Sequence, residues 1–414
     1  MTNHGAASVE TERVRRDTKC SGLRITDVRT SLVNLGFRNA VFVHVETDAG
    51  ITGIAETVMK RRTRAIDISI QRLRSYLIGK DPTLIEDHWE KMYRDSFWIG
   101  GPMHATAISA IDCALWDVLG KSLNVPVYKL HGGPTRERVL VYCHVKAGLT
   151  PERFARSIVT CKNRGYQAAK TTLPLFYGAS DNENIGYSGT SGLFDSSWKE
   201  TDYLPPDTFK RIREFFVAAR EAGGDQFGIA VDCHGRLNLK SAVQLCEALE
   251  DLNLTFIEEP VPPENSDVLR EVQRSTSIRI AAGERWATIH GVREFVEKQA
   301  VDILQCDLVN CGGITGLKKI AALAEAYYIP MAPHNPNGPL ATAMNLHFAA
   351  IVPNYLMLET VGSDEDELLW VELMSPTIKR KEGFLEVPNG SGFGVELNEE
   401  VFAAHPYRPR EGGR

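Results

Sequence analysis

Asp232 and His234 stand two positions apart where the short apolar run Ile229-Ala230-Val231 stops, in the stretch GIAVDCHGRL. Along a β-strand successive side chains alternate faces, so a strand here would set the acid and the imidazole side by side. Polar residues further along the chain give the pair weight. Glu258, Glu284, Asp307, His334 and Glu359 each close a later apolar run, in successive steps of 26, 26, 23, 27 and 25 residues counted from Asp232. One strand-helix unit of a closed barrel spans roughly 25 to 30 residues, so all six groups would lie at the same end, the C-terminal mouth where such barrels do their chemistry.

Asp232, Glu258 and Glu284 would sit on adjacent strands and repel one another unless something neutralises them. An all-oxygen donor set, without thiolate or clustered histidine, suits a hard divalent cation. Three carboxylates with positions left open suit Mg²⁺ better than Ca²⁺, and Mn²⁺ could substitute. Glu259, next to Glu258, would point to the other face and serve a structural ion pair. Asp307 and His334 would end neighbouring strands, the carboxylate orienting the imidazole as a general base. His234 would face them across the mouth as a second acid/base group.

These residues need elements to hold them. From Leu23 to Met59 the chain alternates as strands, with a hairpin turn at Asp48-Ala49-Gly50, and helical periodicity runs from about Thr63 to Leu130. Residues 21–133 therefore form an α+β unit, after a polar, disordered lead-in at 1–20. Over 138–360, strands are expected at VLVYCHVK, AAKTTL, GIAVDCH, TFIEEP, IRIAAGE, DILQCD, IPMAPH and YLMLE, each but the last followed by a helix. Eight such units point to an α/β protein with parallel strands closed into a (β/α)8 TIM-type barrel. The irregular tail, 361–414, would return to cover the first domain.

Composition excludes other classes. The chain has 414 residues, 43% hydrophobic, and a formal net charge of −6 without a basic stripe, which argues against nucleic acid. No run reaches membrane-spanning length and no leader is evident, so neither a membrane partner nor export is expected and the cytoplasm is the expected compartment. Eight scattered cysteines without a C-x-x-C pair indicate neither a disulfide framework nor a zinc ribbon.

The stretches VDCHGRL, FIEEPVPPEN, AAGERW, LQCDLVNCGGITGLKKIAALAEAY, APHNPNGP and LMLE together resemble the enolase superfamily, in particular its acid-sugar dehydratases of the galactonate and mannonate type. The resemblance implies an N-terminal capping domain over a modified barrel, and one Mg²⁺ holding a substrate carboxylate. It implies Asp232, Glu258 and Glu284 as ligands, His334 with Asp307 as the base, His234 as the acid and Glu359 as a pocket residue beside the developing enediolate. Relatives with a K-x-K pair on the second strand use its second lysine as a base. Here Lys170 matches the first position and Thr172 replaces the second. Lysine-based racemisation is thus not expected, and Lys170 is left as a substrate-binding candidate. The strand-six Asp307 favours galactonate-type over mannonate-type chemistry.

The expected reaction removes the C2 proton of an aldonate such as galactonate, mannonate or gluconate and eliminates the 3-hydroxyl, giving a 2-keto-3-deoxy acid. The rivals are a racemase or epimerase on the same scaffold, with His234 and His334 exchanging one proton, and an idle binding homologue. Residues 174–203 lack any period, and a loop of that length after strand two is expected to be a lid or disordered. Its Tyr177, with Arg38 and Trp98 from the first domain and Arg285 beside Glu284, completes the substrate-contact candidates. A homo-oligomer is the expected assembly.

Overall fold

The computed structural model describes residues 22–36, 38–94, 97–176, 204, 206–361 and 368–409. The lead-in and the stretch from 177 to 203, Tyr177 included, lie outside the described residues.

The first domain is an antiparallel meander, β1 (Ile25–Asn34), β2 (Asn39–Thr47) and β3 (Thr52–Thr57), followed by helices α1 (Thr63–Leu77), α2 (Ile85–Arg94), α3 (Pro102–Leu123) and the short α4 (Val127–Leu130). β2 lacks clean alternation because both of its faces are covered, and even His44 is buried. α3 begins with Pro102 at its first turn and stops at Asn124 in the left-handed conformation. It is buried nearly all round because it is pressed between the meander and the barrel. Gly53 on β3 makes that approach possible, since a Cβ there would collide with the Ala114 carbonyl of α3.

The barrel alternates β4 (Arg138–His144), α5 (Pro151–Asn163), β5 (Ala168–Thr172), α6 (Thr208–Gly223), β6 (Gly228–Asp232), α7 (Leu239–Leu249), β7 (Phe256–Glu258), α8 (Ser266–Arg274), β8 (Ile280–Ala282), α9 (Thr288–Glu297), β9 (Ile303–Leu304), α10 (Gly313–Ala326), α11 (Pro339–Ile351) and β10 (Leu358–Thr360). β4 to β9 pair in parallel in chain order, and β10 pairs in parallel with β4 to close the ring. The seventh strand, expected at IPMAPH, is reduced to bridges from Met331 to Leu304 and to Tyr355. Pro330 and Pro333 have no N–H, which interrupts the ladder on both sides of Met331-Ala332 and leaves Ala332 and His334 to donate to the neighbouring Leu304 and Gln305 carbonyls.

The tail does two things. After β11 (Met374–Ser375) the hairpin β12 (Arg380–Lys381) and β13 (Phe384–Glu386) adds β13 antiparallel to β4, a pairing not expected from the sequence. It then reaches the first domain, where Phe402 packs 5.0 Å from Phe42, Glu399 pairs with Arg29 and Pro406 bridges Val33. Cys143 and Cys161 are joined by a disulfide that the scattered cysteine spacing did not signal, while Cys113, Cys233, Cys246, Cys306 and Cys311 are free and buried. No described helix is long and apolar enough to cross a membrane.

Candidate active site

Inside the barrel one residue from each strand position forms a closed apolar layer: Tyr142, Ala168, Ala230, Phe256, Ala281, Ile303, Ala332 and Met357. Strand alternation puts the residue two places on at the same interior, one layer nearer the mouth. Those residues are His144, Lys170, Asp232, Glu258, Gly283, Gln305, His334 and Glu359. An apolar floor therefore carries a polar ring, in which Glu284 takes the place next to side-chain-free Gly283.

Lys170 is wholly buried at the centre of this ring, with Nζ 2.7 Å from Glu258 Oε2, 3.0 Å from Glu359 Oε1 and 3.9 Å from Asp232 Oδ2. Burial alone would lower its pKa. The surrounding carboxylates reverse this and hold it well above the usual lysine value. Burial pushes Asp232 up to about 6 and Glu258 up to about 8, against the pull of Lys170. Gln305 donates from Nε2 to Glu258 Oε2 at 2.8 Å, whereas Glu258 Oε1 has no hydrogen-bond partner among the described residues.

His334 lies between two carboxylates, Nδ1 at 2.7 Å from Asp307 Oδ2 and Nε2 at 2.8 Å from Glu284 Oε2. Burial would lower its pKa, but Glu284 and Asp307 hold it well above 6.5. The same imidazole outweighs burial at Glu284 and keeps that carboxyl well below its usual range. Asp307 is fixed in turn by the Val309 N–H at 2.9 Å and by Asn337 Nδ2 at 3.1 Å.

His234 does meet Asp232, though not by strand alternation. β6 ends at Asp232, and His234 follows in a turn with φ 50. Its backbone N–H donates to Asp232 Oδ1 at 2.9 Å and its Nε2 lies 3.0 Å from Oδ2. Burial pushes its pKa down to about 3. As they stand, then, His334 is the charged imidazole and His234 the neutral one.

Among the described residues no three potential ligands converge closely enough to hold a metal ion as placed. Asp232 is drawn to His234, Glu258 to Lys170 and Glu284 to His334. The donor chemistry nonetheless fits a hard divalent cation: the three carboxylates raise or repel one another, and Glu258 keeps an unpartnered buried oxygen.

The other expected contacts divide. Arg38 is buried, and its charge acts on both His144 in the ring and Glu56 on β3, so it reaches inward from the first domain. Arg285 donates from Nε to Glu259 Oε1 at 3.0 Å and from Nη2 to Oε2, so most of that guanidinium serves a protein carboxylate. Glu259 has the pairing role expected of it, though in a left-handed turn (φ 40) rather than on a strand face. Trp98 stands exposed, its ring edge-on to that of Phe97.

Sequence reasoning missed His144, Gln305, Asn335 and Asn337. His144 Nε2 lies 3.5 Å from Glu359 Oε1, and Asn335 donates its N–H to Glu359 Oε2 at 3.2 Å. Counting two places on from each inward apolar residue would have found His144 and Gln305.

The chain's residues 17–132 match the mandelate racemase / muconate lactonizing enzyme N-terminal domain, and residues 188–401 match the enolase C-terminal domain-like model. It is 35% identical over 368 residues to a D-galactonate dehydratase of Cronobacter sakazakii, covering 88% of this chain and 90% of that one. It is 31% identical over 390 residues to a D-galactonate dehydratase family member of Streptomyces bingchenggensis, covering 91% and 92%. Among solved structures, an enolase superfamily member from Salmonella Typhimurium superposes with a TM-score of 0.82 at 30% identity, covering 93% of this chain and 98% of that one. The 3,6-anhydro-D-galactonate cycloisomerase of Zobellia galactanivorans gives 0.79 at 26%, covering 93% and 100%.

Proposed function

This chain belongs to the enolase superfamily, among its acid-sugar dehydratases, and from that premise we propose that it dehydrates an aldonate such as galactonate, mannonate or gluconate to the 2-keto-3-deoxy acid. The observation that supports this most is His334 held between Asp307 and Glu284, on one side of a carboxylate ring that has His234 on the other.

Members of the superfamily generally use Mg²⁺, and here Asp232, Glu258 and Glu284 would hold one ion, or Mn²⁺ in its place. When bound, the cation offsets the charge that develops on the substrate carboxylate as C2 loses its proton. The chain's own groups do the rest. His334 accepts the C2 proton on Nε2 while Asp307 holds Nδ1. That role needs a neutral ring, and with Glu284 committed to the cation His334 keeps only one of its two facing counter-charges. His234 delivers a proton to the departing 3-hydroxyl; that role needs the charged ring, which burial disfavours and the negative charge developing on the substrate beside it favours. Lys170 and Glu359 line the pocket floor, and Arg38 approaches from the first domain as a contact for the substrate's anionic or hydroxyl groups.

A panel of C5 and C6 sugar acids, supplied with Mg²⁺ and read for keto-acid formation, tests the proposal. One or more aldonates should yield a keto acid, and excess EDTA should abolish the yield until Mg²⁺ is restored. A blank across the panel, or a product of unchanged mass, would remove the dehydratase reading, the latter in favour of epimerisation.

A further inference from the structure

β3 ends in Glu56 and Thr57, both fully buried, although β3 belongs to the first domain and contributes nothing to the barrel ring. Glu56 Oε1 accepts the Gly338 N–H at 2.6 Å, and Oε2 accepts those of Leu340 and Ala341 at 3.1 Å each. Thr57 Oγ1 donates to the Val309 carbonyl at 3.1 Å. These contacts fall on the two barrel segments that fix Asp307. Val309 donates its N–H to Asp307 Oδ1, and Asn337, next to Gly338, donates its amide to Oδ2.

The free N–H groups at a helix start are ordinarily capped by the side chain of the N-cap residue. α11 has Gly338 at that position and no side-chain cap of its own. A serine or aspartate there would cap the helix locally, yet a Cβ at Gly338 would collide with the Glu56 carboxylate. The cap is thus supplied from another domain, through a buried carboxylate that is expensive to bury unless its bonds matter. We propose that Glu56 and Thr57 are positioning residues, a clamp by which docking of the first domain sets the geometry of the Asp307–His334 pair. This rests on the reading of that pair as the base.

Two variants of the full chain, with Mg²⁺ present, test it. Glu56→Gln removes one acceptor and turns an amide toward N–H donors. Gly338→Ala leaves Glu56 in place but pushes its carboxylate off the helix start. Misplacing a reacting group by about 1 Å costs on the order of 100-fold, so kcat should fall by roughly 10- to 100-fold in both, with KM and Mg²⁺ affinity unchanged. Amide hydrogen exchange should quicken in residues 305–311 and 334–342 and stay as it was at the ends of β6 and β7. Retained kcat in both variants overturns the clamp, and so does a KM that rises together with faster exchange across the whole first-domain sheet, which marks loss of structure only. If the wild type turns over no sugar acid, the dehydratase reading has failed. The exchange measurement still judges the clamp, and unchanged protection of both segments in both variants overturns it.

Discussion

His234 and His334 differ in what each faces, and deuterium can separate their work. His334 touches Asp307 and Glu284, while His234 touches Asp232. In D2O with substrate and Mg²⁺, His234→Asn should still exchange the C2 proton while making little keto acid, and His334→Asn should do neither. Each lost proton transfer is worth about 10²- to 10⁴-fold, which NMR and a keto-acid assay both resolve. The reverse pattern would put the base on the His234 side, the side whose imidazole is neutral in this structure. Asp307→Asn should lower kcat and leave Mg²⁺ affinity intact, checked by calorimetric titration, because Asp307 bonds His334 and not the carboxylate ring. Lys170→Met should be costly without metal, since breaking a buried ion pair commonly costs about 3–5 kcal/mol. Its melting temperature should recover in part with Mg²⁺, which replaces the lost positive charge, and calorimetry with and without the ion reads this directly.

Elements meet most tightly where α3 lies on β3. Gly53 lets the Ala114 carbonyl and Val118 come into the space a Cβ would fill. Gly53→Ala should therefore act as overpacking and cost about 1–3 kcal/mol, read as a lower urea midpoint. Its backbone is not in the left-handed region, so the cost would report packing alone. The strands show the complementary limit, that an element need not be long to be specified. β9 has two residues and the seventh strand position one bridging residue, Met331, yet both hold their place because their neighbours on each side are paired. Short strands end early, and that is why Glu284 and Asp307 lie beyond the last residues of β8 and β9, where the backbone turns toward the mouth.

Across the whole molecule, His347 on α11 joins three regions. Its Nε2 lies 3.0 Å from the Phe393 carbonyl in the tail and its Nδ1 accepts the Tyr128 N–H at 3.4 Å. Burial pushes its pKa down from 6.5 to about 4, against the Phe393 bond. The unfolded chain therefore takes up a proton at a higher pH than the folded one. Stability from this residue is complete above about pH 6.5 and is lost as pH falls through 4, by up to about 3 kcal/mol. His347→Gln should flatten the acid side of a plot of melting temperature against pH in that window. An unchanged slope would assign acid sensitivity to other groups.

The sequence by itself determined the barrel and six of its polar strand ends, because both are written in local periods. Apolar runs mark the strands, and a repeat near 25 residues puts Asp232, Glu258, Glu284, Asp307, His334 and Glu359 at one mouth. The pairing of Asp307 with His334 was legible as well, from neighbouring strand ends, whereas the other contacts that join those six were not. His144 comes beside Glu359 only when β10 pairs with β4, the first strand of the barrel with the last. His234 reaches Asp232 through a left-handed turn, which the rule of alternation does not describe. Asn337 fixes Asp307 across 30 residues, and Glu56 caps a helix 282 residues away. Local pattern records which way a side chain leaves its own element, whereas barrel closure and the docking of one domain on another are long-range contacts decided by the packing of the whole chain. Those contacts, and with them the charges on the two histidines, belong to the tertiary structure.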